Sequence, residues 1–148
     1  MIILLSVIFS IIAGATMSIQ GVINTRLSDK IGLYEANMFV QATAFILSII
    51  VMFILGKGSL ASLLDVKKVY WLGGILGIII TITVMLGIKN LSPTVAISII
   101  LISQLLVAFL IDFFGILDSK KVAFEWTKCL GLVLMIGGIL LFKFKTIK

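Results

Sequence analysis

Long uncharged runs alternate with short charged interruptions along this chain. The runs cover residues 1–25, 36–56, 69–88, 90–111 and 129–142. A helix needs about 20 apolar residues to cross a bilayer, so the first four are long enough as they stand. The fifth is short, but Trp126 lies just before it and Lys128 and Lys143 flank it. Aromatic anchoring and snorkelling of the lysines extend it to a tilted span from Trp126 to Phe144. The pattern predicts an all-α polytopic protein: one membrane domain over 1–148, with five transmembrane helices at about 2–25, 34–56, 69–88, 92–117 and 126–144. The longest polar connection is 57–68, which leaves no room for a soluble domain and puts any activity in the membrane.

Composition agrees. Hydrophobic residues make up 61% and charged ones 12%, and the mean hydropathy is +1.34. The net charge of +6 is spread over span ends and forms no groove-facing cluster, which excludes nucleic acid as a partner and leaves membrane lipid. Cys129 is the sole cysteine, so no intrachain disulfide can form, and histidine is absent. Without the commonest transition-metal ligand, and with the acids scattered, the sequence offers no metal set, no nucleophile–base pair and no cofactor motif. An enzyme is not expected. Ala13-Gly14-Ala15 has the small residues of a signal-peptidase site, but no basic residue precedes it and the apolar run continues through it, so the first span is read as uncleaved.

Charge also bears on orientation. With five spans, Lys57, Lys67, Lys68, Lys120, Lys121 and Lys128 fall on one side, and Arg26, Lys30, Lys89, Lys143, Lys145 and Lys148 on the other, six against six. If the last segment lay flat on the surface the score would be nine against three. A chain without bias has no strong reason to insert one way only. Two oppositely oriented copies would then pair as an antiparallel homodimer, giving with two chains the ten-helix, inverted-repeat-like bundle that many secondary transporters build within one chain. The plainer reading is that charge counting fails here because partners or lipids neutralise a few lysines.

The polar residues inside the spans need a reason, since Asp at mid-membrane costs about 2.5 to 3.5 kcal/mol. Asp112 is the deepest acid, about 9 Å along the expected helix from Asp118. It reads either as a cation or proton site or as a near-interface carboxylate wetted from its own end. Gln20 and Asn24 sit four apart at the end of the first span, and Asn37 and Gln41 four apart at the start of the second, so the two pairs could meet across a helical hairpin. Gln104 precedes Asp112 by eight residues, within about 80° of the same face, so the two could line a cavity. Taken singly, the amides read more readily as interhelical glue. Gly73, Gly77 and Thr81 form a small-residue ridge on the third span, and Gly14 with Ser18 a shorter one on the first; both are expected packing faces. Ser92 and Pro93 open the fourth span as cap and first helical residue.

Several of these strings are familiar: Gly14-Ala15 with Gln20, Asn24 and Leu27; Gly32, Ala36 and Gln41; Ser92 to Thr94; and Gln104 with Ile111-Asp112-Phe113-Phe114-Gly115. Along nearly the whole chain the sequence resembles the small YdcZ-type membrane proteins of the drug/metabolite transporter superfamily. The resemblance implies a proton- or gradient-driven carrier of small molecules in a bacterial inner membrane. It also implies half of a ten-helix architecture, completed by a second copy or a paired homologous chain. Phe113 stands where the family often has His after the Asp, so no coupling role of an imidazole carries over. The expected function is therefore secondary transport, with a dual-topology channel or a non-transporting scaffold subunit as the alternatives.

Overall fold

The computed structural model describes residues 2–122 and 125–144, with side chains up to residue 141. The described residues form five α-helices: α1 (Ile2–Ile31), α2 (Leu33–Leu55), α3 (Gly73–Asn90), α4 (Pro93–Phe114) and α5 (Trp126–Phe144). Short 3₁₀ turns at Leu60–Leu64 and Lys68–Leu72 lead into α3. The stretches Ile2–Ile31, Leu33–Leu55, Lys68–Asn90 and Pro93–Phe114 are long and apolar enough to cross a membrane, whereas the apolar part of α5, Trp126–Leu141, is shorter.

Helix ends follow backbone chemistry and not the edges of the uncharged runs. The first run ends at Thr25, yet α1 continues through Arg26 and Lys30 to Ile31, because charged residues with long side chains are good helix formers. Gly32 stops it. Its φ of 103° and ψ of 155° lie in a region open essentially to glycine alone. The Glu35 carboxylate folds back over Gly32, where a Cβ would stand, and it places negative charge in the first turn of α2, where the helix dipole favours it.

α4 starts as the sequence indicates. Pro93 takes the first helical position, and Ser92 caps the helix by accepting from the Val95 N–H at 3.4 Å. Its end differs from expectation. The span drawn to residue 117 assumed a helix running on past Asp112, but α4 stops at Phe114 and Gly115 turns left-handed with φ of 64°. The Ile111 carbonyl accepts from the N–H groups of Gly115 (2.8 Å) and Ile116 (3.2 Å) and from the Ser119 hydroxyl (3.2 Å). The Asp112 carbonyl accepts from Val122 N–H at 2.9 Å. Leu117 and Asp118 are also left-handed, at 59° and 61°, so the helical extrapolation from Asp112 to Asp118 does not hold.

The chain forms two compact units, one ending at Asn90 and one beginning at Leu91. In the first, α1 packs on α2 and α3, and α2 packs on α3; in the second, α4 pairs with α5. The first unit closes around small residues. A Cβ on Gly21 would come within 2.9 Å of Ile88 Cδ1 and 3.1 Å of Val84 Cγ1, which marks the tight crossing of α1 and α3. Ala36 and Met85 are fully buried there, and Ile88 nearly so. Most other large apolar side chains face outward, as expected where lipid tails are as apolar as leucine and helices associate through close contact and hydrogen bonds.

Many hydroxyls of the helices are satisfied by their own backbone. Ser6, Ser10, Thr16, Ser18, Ser48, Thr83 and Ser103 each donate to the carbonyl one turn earlier, at 2.7 to 3.1 Å.

Candidate functional site

Polar residues gather in two places, one in each unit, and their chemistry differs. In the first unit Asn24, Thr25 and Ser28 of α1 and Asn37 of α2 are buried. The Thr25 hydroxyl donates to the Gly21 carbonyl and that of Ser28 to the Thr25 carbonyl, both at 2.7 Å. Half-buried Gln41 reaches α3, its Nε2 donating to Thr81 Oγ1 at 3.4 Å, while Thr81 donates to its own Gly77 carbonyl at 2.9 Å. Asn37 Oδ1 is buried and accepts no hydrogen bond. At the end of this unit nearest Gly32, Asp29 joins α1 to α3 through Lys89 (3.1 Å), with Arg26 a second, looser partner at 3.7 Å.

Residues picked from the sequence thus separate. Asn24 and Asn37 are buried in the three-helix unit, but Gln20 faces outward although it is one turn from Asn24. The Gln41 amide donates to Thr81 of α3, whereas the hairpin reading looked for its partner on α1. In the α3 ridge, Gly77 and Thr81 meet Gln41, while a Cβ on Gly73 would find nothing within 4 Å. Gly14 is equally open, and half-buried Ser18 donates to its carbonyl. The tight glycine is Gly21, which the sequence reading passed over. The signal was present: Gly14, Ser18, Gly21, Thr25 and Ser28 continue one small-residue stripe at spacings of three and four.

The second place is a cleft of about 490 Å³ between α4 and α5. Its walls are Leu105, Leu106 and Phe109 from α4 and Leu132, Val133 and Met135 from α5, while Asp112 and Lys128 supply charge and Cys129 a free thiol. Asp112 lies two residues before the end of α4 and is solvent- or lipid-accessible. Phe109, one turn before it, stacks on Phe113 with ring centroids 6.1 Å apart. The Lys128 ammonium also pairs with Glu125 at 3.8 Å. Gln104 is exposed and is not among the residues lining this cleft, so the expected Gln104–Asp112 stripe is represented there by Asp112 alone. Lys128 and Cys129 were noted in the sequence only as an anchor and an uninformative thiol. What places them beside Asp112 is the pairing of α4 with α5, which no residue pattern announces.

Chemically, the cleft offers a greasy wall with one carboxylate and one ammonium at its edge, suited to a small molecule with an apolar body and a charged group. Among the described residues no three His, Cys, Asp or Glu side chains come together in a set that could hold a metal ion.

Comparison with known proteins adds the family. No curated protein and no solved structure matches the chain. The family model described as "Putative inner membrane exporter, YdcZ" matches residues 5–141. Four helices able to span a membrane, an apolar exterior and a match over almost the full length agree: the chain belongs to the YdcZ family of inner-membrane exporters.

Proposed function

We propose that the chain is a secondary exporter that moves a small cationic or amphipathic molecule by alternating access, and that two copies of opposite orientation form the working unit. The observation that carries the reading is the α4–α5 cleft, where Asp112 is set at the edge of an apolar wall. A carboxylate in that position can hold a proton in one phase of the cycle and a cationic group in the other, which couples export to a proton gradient.

Support for the pairing comes from the even split of basic residues, which holds when α5 crosses the bilayer with Trp126 as its anchor. An antiparallel pair has inward-open and outward-open forms of nearly equal energy, so modest differential binding shifts the population between them. The open glycines Gly14, Gly73 and Gly74, which meet nothing within 4 Å in one chain, are available to a second copy.

The test is flux into proteoliposomes under an imposed pH gradient. Asp112→Asn should lower flux about tenfold or more, as expected for loss of a charged hydrogen bond worth ~1.5 kcal/mol, and abolish its response to the gradient. Unchanged flux with unchanged pH response removes Asp112 from the mechanism. Reporters fused to each terminus test the pairing, since signal from both compartments for each fusion is expected.

A further inference from the structure

The carboxamide of Asn37 is the one buried side-chain group among the described residues with an oxygen that lacks a donor. The residue is 9% exposed, and it lies in a region already rich in acceptors. The hydroxyl protons of Thr25, Ser28 and Thr81 are given to carbonyls of their own helices, which leaves their oxygens as acceptors. Gln41 spends an amide proton on Thr81. The hydroxyl donors of this region are thus committed to backbone carbonyls, Asn37 Oδ1 is left without a donor, and buried acceptors are rarely left so.

We infer that Asn37 Oδ1 is one anchor of a bound water molecule inside the α1–α2–α3 unit. Water is neutral and small and brings two donors, one of which the Asn37 oxygen can accept; buried waters bridge otherwise unsatisfied groups in this way. A metal or ammonium ion fits less well. The buried polar members Asn24, Thr25, Ser28 and Asn37 carry no charge, and the helix ends nearest them carry Arg26, Lys30 and Lys89 against only Asp29 and Glu35. The site is independent of the Asp112 cleft and does not rest on the transport reading.

Met85 provides a reporter. Gln41 of α2 meets Thr81 of α3, and Asn37 and Met85 each lie one turn from that contact toward the Gly32 end of the unit. Met85 is fully buried, so bulk water does not reach its thioether. Hydroxyl radicals made by a millisecond X-ray pulse form wherever water is, and a water held beside buried methionine oxidises it. With the full chain in lipid nanodiscs in sodium-free buffer, Met85 should be oxidised in the wild type, and that oxidation should be lost in Asn37→Leu. Absence of Met85 oxidation in the folded wild type overturns the inference without any variant, so a misfolded Asn37→Leu cannot rescue it. Equal oxidation in wild type and in monodisperse Asn37→Leu overturns it too, as does oxidation that changes on adding sodium, which assigns the site to a cation.

Discussion

The two units of this protein handle polarity in opposite ways. In the α1–α2–α3 unit, polar side chains are turned inward and small residues let the helices approach, as where Gly21 of α1 meets Ile88 of α3. In the α4–α5 pair, charge sits at the edge of an open cleft whose walls are apolar. The first arrangement is what holds helices together where no hydrophobic force acts between them. The second leaves a carboxylate and an ammonium available to something that comes and goes. On the function proposed above, the difference separates scaffold from working surface within one chain of similar helices.

The sharpest way to break the comparison is to fill the tight crossing. Gly21→Leu forces a branched side chain into Ile88 and Val84, and overpacking of this kind costs about 1 to 3 kcal/mol. Thermal or SDS-driven unfolding in detergent should show that loss, while Gly14→Leu, on a face open within one chain, should leave the stability of the monomer unchanged. Equal effects at both positions would mean that the stripe is not what packs α1. Next is Gly32→Ala, which must hold a φ of 103° and displace the Glu35 carboxylate. A loss of about 1 to 3 kcal/mol is expected by the same measurement. The smallest effect belongs to Thr81→Val, which removes the acceptor for Gln41. Membrane hydrogen bonds average about 0.6 kcal/mol, and this one is long at 3.4 Å. A larger loss would show the α2–α3 contact to be a stronger fastener than its geometry indicates. None of the three should alter the pH response of flux, which we propose for the other unit.

Helices were legible because uncharged length is itself the constraint that hydrocarbon imposes. Their ends were less so, since a charge limits what sits in lipid but not what continues a helix. Hence α1 outruns its apolar segment by a turn and a half, to Gly32, and α4 falls short of its expected end at Gly115. The amides show a second limit. Gln20 and Asn24 are one turn apart, but the buried set Gly21, Asn24, Thr25 and Ser28 centres about 90° from Gln20 at 100° per residue. The pair therefore straddles the edge of the packed face, and spacing alone does not say where that edge falls. Asp112 stood out as a lone deep acid, whereas its neighbours in the cleft depend on which helices pair, which only the fold supplies.

The self-satisfied serines and threonines carry a consequence for biogenesis. A hydroxyl already bonded to its own backbone enters hydrocarbon without an open donor, so these hydroxyls do not oppose a segment's leaving the translocation machinery ahead of its neighbours. Insertion and assembly become separable in time. The choice of neighbour is then left to the amides and the close-packing glycines, and the serines do not drive the chain toward the wrong one.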